Sequence, residues 1–396
     1  MIDSPKSVST IPQNINASLF EGIVTTINTF SKAIDGLQHK FYFNVIETGG
    51  HVFWTIALLG IIWGGEAKSL ESLTSEEYLG KQLFYDRRLS KEDQLACVDC
   101  HSPKFGWSDG QKLALGFNNT PLKRHSPSLI NVGLANELGF AFFWDLRANN
   151  LETQALMPIQ NPDEMNMPID ALIAKLSKIQ GYQDQFVLVY GRNIDPDLIA
   201  KALVAFEKTI SIGSTPYSRW LKESPYSGKD LNGADRFLIG GELPGFAPPT
   251  DPSTSDTSIL NESQQRGYKL FARNCMTCHA GENLSNGGAF DIGLPGDDIG
   301  FGRYSNAKKM QYAFKTPSLW GIAQTAPYMH NGSLETLLDV VKHYNRGGST
   351  NTRRPSQTPL IRPLNLEENE ITDLVNFLHA LSPDTPFDQD PPELPQ

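Results

Sequence analysis

Two copies of one five-residue pattern constrain this 396-residue chain more than any other feature. "CVDCH" spans 97–101 and "CMTCH" spans 275–279, and together they contain all four cysteines. C-x-x-C-H is the attachment pattern of c-type haem. Thiols at this spacing on a helix can both form thioethers with one porphyrin, and the adjacent histidine can bind the iron. The sequence therefore predicts two covalently bound haems, held by Cys97, Cys100 and His101, and by Cys275, Cys278 and His279.

Other uses of these four cysteines fit the pattern less well. The two motifs leave no cysteine for a structural disulfide. A zinc site built from two Cys-x-x-Cys pairs places the pairs about 15–20 residues apart, whereas Cys100 and Cys275 stand in different halves of the sequence. Two accidental C-x-x-C-H matches that use all four cysteines are very improbable. We therefore interpret both motifs as covalent haem attachment sites.

The overall charge excludes one broad class of partner. The chain has 34 Lys and Arg residues against 44 Asp and Glu residues, a net charge of −10, and no basic stripe that could neutralise phosphates. We therefore expect no nucleic-acid binding. With 39% apolar residues, the chain is able to bury the cores of two or three domains.

The sequence around each haem motif repeats itself. "YLGKQLFYDRRLSKEDQLACVDCH" and "RGYKLFARNCMTCH" both place an amphipathic Leu-Phe helix before the motif, as a duplicated unit would. Segments 170–185 and 334–344 have helical periodicity, and no long alternating strand pattern is present. The predicted fold is mostly α, with two cytochrome c-like haem domains packed together after an N-terminal helical or apolar segment.

Composition suggests where these domains begin and end. The N-terminal haem domain is predicted at 68–239 and the C-terminal haem domain at 261–383. Residues 240–260, which contain "GGELPGFAPPTDPSTSDT", are rich in turn-forming residues and predict a linker or insertion. The tail at 384–396 is acidic and Pro-rich, which predicts irregular structure.

Residues 1–67 allow three interpretations. "VFWTIALLGIIW" at 52–63 has the length of a signal-peptide core, and "GEA" offers a small-x-small cleavage site at Ala67. Apolar residues at helical spacing over 18–37 predict an amphipathic helix. The segment could be an export signal behind an early start codon, an uncleaved membrane anchor or a buried helix. Because the apolar run is short for a membrane span of about 20 residues, we favour export.

Over residues 71–382 the sequence resembles the bacterial di-haem cytochrome c peroxidases and their MauG-like relatives. The resemblance is carried by "LGKQLFYDRRLS", "RHSPSLINVG", "FFWDLRANNLETQALMPIQNPDEM", "FKTPSLWGIAQTAPYMHNGSLETLLDVVKHY" and the two haem motifs. It implies an oxidoreductase whose haem on His101 meets hydrogen peroxide, while the haem on His279 stores or relays an electron. Haem attachment in this family takes place outside the cytoplasmic membrane, which implies a periplasmic protein, either soluble or tethered.

The same resemblance implies roles for three further residues. Glu164 in "NPDEM" matches the distal acid/base, and a carboxylate there could move the proton that peroxide cleavage requires. Gln154 in "LETQA" matches a glutamine that lines the same pocket. Trp144 in "FFWD" matches a tryptophan between the haems, where it could relay electrons.

One departure from the peroxidase pattern concerns activation. Many di-haem peroxidases carry a histidine after the first haem motif that caps the resting iron, but Phe117 in "LALGFNNTP" stands at that position here. Because phenylalanine cannot bind iron, we expect the His101 haem to be five-coordinate or water-bound at rest and to need no reductive activation. His125 in "RHSP" is the nearest alternative cap.

His125 also puts calcium in doubt. It aligns with an asparagine associated with a calcium site between the domains of the family, and imidazole is a poor ligand for this hard cation. Thr325 and Pro327 in "TAPY" keep the matching carbonyl donors. The resemblance therefore leaves a calcium site open.

A second departure concerns the other haem. The sixth ligand of the C-terminal haem is commonly methionine in the peroxidases, but Tyr344 stands at the matching position, as in the MauG-like branch. Phenolate is an anionic donor that stabilises oxidised iron. Met329 and His343 are competing candidates, and we place Tyr344 first.

Three functions are compatible with these residues. The first is a peroxidase that reduces hydrogen peroxide with electrons from a small c-type cytochrome or cupredoxin. The second is a MauG-like enzyme that oxidises a tryptophan or similar residue of a partner protein through a high-valent iron state. The third, a plain electron-transfer cytochrome, would need no distal acid, so Glu164 and Gln154 argue against it. An apparent insertion at 227–259 is expected to form a surface loop at a partner site or over a haem edge.

Overall fold

The chain divides into two compact units, Met1–Leu70 and Glu71–Gln396. The computed structural model describes residues 47–48, 51–52, 73–223, 259–348, 354–385, 387 and 389–396. In the first unit, strand β1 (Glu47–Thr48) pairs antiparallel with β2 (His51–Val52). The predicted helix at 18–37, the Ala67 cleavage site and almost all of the 227–259 insertion lie outside the described residues.

The second unit is built mainly from helices, which confirms the predicted fold class. Its first part contains α1 (Ser75–Tyr85), α2 (Cys97–Cys100), α3 (Val132–Glu137), α4 (Leu151–Gln160), α5 (Ile169–Leu176), α6 (Gln180–Tyr190), α7 (Pro196–Lys208) and α8 (Pro216–Glu223). Its second part contains α9 (Glu262–Asn274), the antiparallel strands β3 (Ala289–Phe290) and β4 (Phe314–Lys315), α10 (Leu337–Asn345) and α11 (Glu368–His379). Within these described ranges, no helix has both the length and the apolarity needed to cross a membrane.

The helices that lead into the haem motifs begin with the same chemistry. Thr74 and Glu77 form a capping box at the start of α1, and Asn261 and Gln264 form one at the start of α9. In each box two otherwise unpaired backbone N–H groups donate to side-chain oxygens. These local signals explain why both helices start where they do.

Helix α1 crosses α7 at very close range. A Cβ added to Gly80 would lie 1.8 Å from the carbonyl oxygen of Ala202, so only glycine fits at this contact. One turn along, the buried rings of Phe84 and Phe206 meet edge to face with centroids 5.2 Å apart. Burying a side chain of this size stabilises the fold by roughly 1.5–3 kcal/mol.

Helix α9 crosses α11 in the same manner. A Cβ on Gly267 would lie 2.0 Å from the carbonyl oxygen of Asp373. Phe271 and Phe377 then pack with ring centroids 5.1 Å apart, and both are fully buried. The G-x-x-L-F sequence shared by the two entry helices thus forms the same helix crossing twice, which gives the repeat in the sequence a physical meaning.

The end of the chain returns to the first haem half. Residues 389–396 contain no helix or strand. The side chain of Gln82 donates to the Glu393 carbonyl at 2.7 Å, and Arg88 donates to the Pro395 carbonyl at 2.9 Å. The segment therefore packs on α1, although its composition alone predicted only irregular structure.

Candidate haem-binding active site

A large cavity lies between the two haem motifs. Its volume is about 530 Å³, and its wall includes His101 from the first motif together with Cys275, Cys278 and His279 from the second. Most of the remaining wall is apolar or aromatic. The two predicted iron-binding histidines therefore face one interior space, although the chain separates them widely.

The His101 ring is oriented for iron binding. Helix α2 ends at Cys100, and the backbone N–H of His101 donates to the Cys97 carbonyl at 2.9 Å. The ring Nδ1 lies 3.2 Å from the carbonyl of Trp107, to which it can only donate. Burial lowers the pKa of His101, so the ring is neutral and keeps its Nε2 lone pair available. Histidines that bind metals commonly hold the other ring nitrogen in this way.

The His279 ring repeats this arrangement. Its Nδ1 donates to the carbonyl of Leu284 at 3.1 Å. Burial lowers the pKa of His279 to about 4, which again leaves a neutral ring with a free Nε2 lone pair. Both halves therefore present an imidazole in the tautomer that an axial ligand needs.

The four cysteines are free of disulfide bonds. Burial raises the pKa of Cys100 and of Cys275 to about 12, so both thiols are protonated in the described chain. The negative charges of Asp109 and Glu164 also contribute to the shift at Cys100, which places the Glu164 carboxylate near the first attachment site.

The cavity suits a porphyrin in its charges as well as its apolar surface. Its cationic wall residues are Arg273, Lys315 and Arg362, and no Asp or Glu is found among the described residues that line it. The side-chain oxygen of Gln154 is buried there without a hydrogen-bond partner in the described chain. A haem would bring an apolar ring and two carboxylates, so these residues fit it, with the cysteines holding the ring covalently and His101 and His279 binding the irons.

Glu164 lies in the turn that follows α4. The Asn161 side chain donates to its Oε1 at 2.7 Å. Burial raises the pKa of Glu164, while the Asn161 hydrogen bond and the charge of Arg147 oppose the rise. The carboxyl group is therefore tuned toward exchanging a proton nearer neutral pH than an exposed glutamate would.

Phe117 lies directly beside Glu164. Its backbone N–H donates to the Glu164 carbonyl at 2.7 Å, and its ring is buried. The preceding Gly116 packs so tightly that a Cβ there would lie 1.8 Å from the Asp163 carbonyl oxygen. The loop in which many di-haem peroxidases carry a capping histidine thus reaches Glu164, and here it presents a phenyl ring.

Trp144 lines the same cavity as both histidines and Gln154. Its indole N–H donates to the His125 carbonyl at 2.9 Å, and its own carbonyl accepts from the backbone N–H of Lys315 at 2.8 Å. These two bonds connect it to both haem halves. The position is consistent with the predicted relay, which remains a prediction.

The three candidates for the sixth ligand of the second haem separate clearly. Tyr344 and Met329 line the cavity. His343 is buried and is not among the described residues that line the cavity, and its Nε2 donates to the Ile292 carbonyl at 3.0 Å. Burial, with smaller contributions from the Cys275 and Cys278 charges, raises the pKa of Tyr344, so its phenol is protonated until a cation offsets the charge. Tyr344 and Met329 therefore remain candidates for the sixth ligand of the His279 haem, and His343 is disfavoured for that role.

His125 is committed to protein partners. Its Nδ1 donates to the Gln111 carbonyl at 2.7 Å and its Nε2 lies 3.1 Å from the Ser108 hydroxyl, so neither nitrogen is free to cap an iron. Thr325 and Pro327 line the cavity. No group of three or more His, Cys, Asp or Glu side chains able to hold a metal ion occurs in the described part of the chain. Calcium therefore gains no support here.

Three features of this site were not predicted from the sequence. Asn161 orients Glu164, and Arg124 bridges the halves by pairing with Asp145 and Asp298, each at 2.7 Å. Lys315 places a half-buried cation in the cavity wall. Asn161 had a local signal, since it precedes Glu164 by three residues in one turn. The other two depend on contacts between segments far apart in the chain.

Comparison with known proteins agrees with this site. A family model described as di-haem cytochrome c peroxidase matches residues 74–225, and a cytochrome c model matches 264–382. The chain is 36% identical over 317 residues to methylamine utilization protein MauG of Methylorubrum extorquens, covering 78% of this chain and 79% of that protein. It is 30% identical to the cytochrome-c peroxidase IdrP1 of Denitromonas iodatirespirans, covering 80% and 84%.

The chain therefore belongs to the di-haem cytochrome c peroxidase and MauG family. Among solved structures, its fold is similar to a MauG-like protein associated with microbial copper homeostasis, with a TM-score of 0.63, 24% identity and coverage of 84% of this chain and 96% of that one. The predicted family, fold class and two covalently bound c-type haems are confirmed. The domain boundaries and the roles of single residues stay predictions.

Proposed function

We propose that the chain is a peroxidase that reduces hydrogen peroxide at the His101 site and takes electrons from a small c-type cytochrome or cupredoxin. Each turnover combines one hydrogen peroxide with two protons and two electrons to give two waters. When bound, the two haems supply the oxidation–reduction chemistry of this reaction. The chain's own residues bind the peroxide, move its protons and determine when the site is open.

Glu164 is proposed to move the protons. As a carboxylate it accepts the proton of the peroxide oxygen nearer the iron, and it returns that proton to the departing oxygen. Burial raises its pKa, which makes return of the proton easier than from an exposed glutamate, and the Asn161 side chain fixes the carboxyl orientation. The unpartnered buried oxygen of Gln154 can accept a hydrogen bond from peroxide or water.

The observation that carries the proposal is the contact between Phe117 and Glu164. Their backbone hydrogen bond of 2.7 Å places the Phe117 loop against the distal acid. Because a phenyl ring has no lone pair for iron, the loop excludes bulk water from this side without closing the site. We therefore infer that the fully oxidised protein reacts with peroxide directly.

Trp144 is proposed to carry electrons between the two halves. It shares the cavity with His101 and His279, and its two hydrogen bonds hold the indole in place. An indole needs little reorganisation to lose and regain an electron when its surroundings are rigid, so a fixed position favours this role.

A second candidate is oxidation of a tryptophan or similar residue on a partner protein. It is favoured by Tyr344 at the cavity wall, because a phenolate ligand would stabilise oxidised iron at the His279 site. The 36% identity to a MauG protein also supports it. In both candidates the protein works outside the cytoplasmic membrane, and membrane association would depend on the N-terminal segment.

The experiment compares peroxide consumption with and without a reduced small c-type cytochrome. The first candidate predicts two cytochromes oxidised per peroxide at a sustained rate, and Glu164→Gln should abolish most of that rate. Asp163→Asn, which neutralises the exposed neighbouring carboxylate, is the matched control. If peroxide is consumed but the cytochrome stays reduced, the first candidate is wrong and a protein substrate is favoured.

A further inference from the structure

The side chain of Lys315 lines the cavity, and the proposed chemistry assigns it no role. Lys315 ends strand β4 and lines the cavity with His279 and Trp144. Within the described residues, its ammonium group has no hydrogen bond and no ion pair. Burial alone lowers its pKa to about 8, with no nearby carboxylate to counter the effect.

A cation in this position needs an anionic partner. The rings of Phe142 and Phe140 lie 5.0 Å and 5.9 Å from the Lys315 ammonium, and their faces offset part of the cost of burial. They supply no counter-charge. Buried charges are normally paired, and in the part of the chain that the structure describes the cavity wall has no acid to pair with it.

The two other cations on the wall differ from Lys315 in exposure. Arg273 and Arg362 are exposed, so water can solvate their charges. Lys315 is half-buried at the cavity wall, and the occupant of the cavity is the group best placed to pair with its charge. The anionic groups of a haem are its two propionate carboxylates, and either one can pair with a single ammonium through charge-assisted hydrogen bonds.

The internal repeat indicates which haem this is. "RHSPSL" at 124–129 and "FKTPSL" at 314–319 are equivalent segments, and the Pro127 and Pro317 carbonyls lie beside the His101 and His279 rings respectively. Lys315 thus belongs to the His279 half. Its backbone N–H donates to the Trp144 carbonyl at 2.8 Å, so Lys315 lies beside the proposed electron relay.

We propose that Lys315 binds a propionate of the His279 haem at the edge that faces Trp144, and that its charge raises the reduction potential of that haem. The reduced haem carries one more negative charge than the oxidised haem. A nearby fixed positive charge therefore stabilises the reduced state relative to the oxidised state and raises the reduction potential. The inference concerns the bound cofactor, so it holds whether the electrons come from a small redox protein or from a protein substrate.

The experiment is a spectroelectrochemical titration of the two-haem protein. Lys315→Met should lower the potential of the His279 haem, with about a tenfold change in its reduction equilibrium, or about 59 mV for one electron. Lys315→Arg should restore most of the potential. Lys309→Met removes an exposed lysine with the same change in net charge and is the control.

A second measurement separates propionate binding from a general structural change. Resonance Raman spectra should show a shifted propionate bending mode for the His279 haem in Lys315→Met and a wild-type mode in Lys315→Arg. Should Lys315→Met not load both haems, Lys315→Gln takes its place in both measurements. A potential shift no larger than that of Lys309→Met, or one confined to the His101 haem, would overturn the proposal.

Discussion

The two haem halves are alike in how they hold their histidines and different in the other side chains that each half carries near its motif. Each histidine donates its Nδ1 proton to a nearby backbone carbonyl, and each entry helix crosses its partner through a glycine and a phenylalanine pair. Beside the first motif lie the Glu164 carboxyl group and the Phe117 ring, neither of which is among the described residues that line the cavity, whereas the Tyr344 phenol and the Met329 thioether belong to the cavity wall. The duplicated parts hold a cofactor, and the divergent parts set what it does.

The halves also differ at the residue that follows each crossing phenylalanine in the sequence. In the first half Phe206 is followed by Glu207, and in the second Phe377 is followed by Leu378. Glu207 is buried, with one carboxyl oxygen that has no hydrogen-bond partner among the described residues. A titratable group therefore occupies a core position in one half where its counterpart is apolar.

Glu164→Gln should have the largest effect, because it removes the acid/base that only the first half has. The reaction with hydrogen peroxide should slow by roughly 10²–10⁴-fold, as for loss of a general acid/base. Stopped-flow spectra of the oxidised protein measure this rate. A wild-type rate in Glu164→Gln, with Asp163→Asn also unchanged, would remove Glu164 from the mechanism.

The pH dependence of the same reaction provides a separate test. Burial raises the pKa of Glu164, and the base form is lost as the pH falls through that raised value. The wild-type rate should therefore decline on the acidic side at a higher pH than an ordinary glutamate would give. Glu164→Gln should lack this limb, and an identical limb in the variant would assign the titration to another group.

Tyr344→Met should make the second half more like an ordinary peroxidase. If the phenol oxygen binds the iron, a thioether in its place should raise the potential of the His279 haem by roughly 100 mV or more, since axial ligands set haem potentials over about 0.8 V. Met329→Leu is the control because Met329 lines the same wall. A shift in the control alone would identify Met329 as the ligand.

The two helix crossings should respond equally to an added methyl group. Gly80→Ala and Gly267→Ala each place a Cβ about 2 Å from a backbone carbonyl oxygen, and such overpacking costs roughly 1–3 kcal/mol. Gly133→Ala in α3, where the nearest atoms are 3.0 Å away, should cost less. Thermal unfolding measures all three, and a tolerated Gly267→Ala would break the equivalence of the halves.

Glu207→Gln should change stability rather than activity, and the change should depend on pH. Burial raises the pKa of Glu207 to about 8, so the folded state binds more protons than the unfolded state between about pH 4.5 and 8, and stability falls as pH rises through this window. The variant should be equal in stability to wild type near pH 4, where both side chains are neutral and each is left partly unpaired, and more stable than wild type near pH 8, where the buried carboxylate is charged. Equal melting curves at both pH values would contradict this account.

How much of this could be read from the sequence depends on how local each signal is. The C-x-x-C-H motifs and the Leu-Phe helices are short patterns, and they led directly to the haem histidines and to a mostly α fold. Phe117 and Glu164 needed the family resemblance, because 46 intervening residues hide their contact in the chain. Segments that are far apart in the chain form the surroundings of Lys315, Glu207 and the C-terminal tail. A short stretch of sequence does not show such contacts.

The central claim is that the first half is open at rest and the second is closed by a ligand. The most direct test is the electronic and electron paramagnetic resonance spectrum of the fully oxidised protein, before and after one equivalent of hydrogen peroxide. The account predicts one high-spin and one low-spin haem at rest, and reaction with peroxide without prior reduction. Two low-spin haems that react only after one of them has been reduced would contradict it.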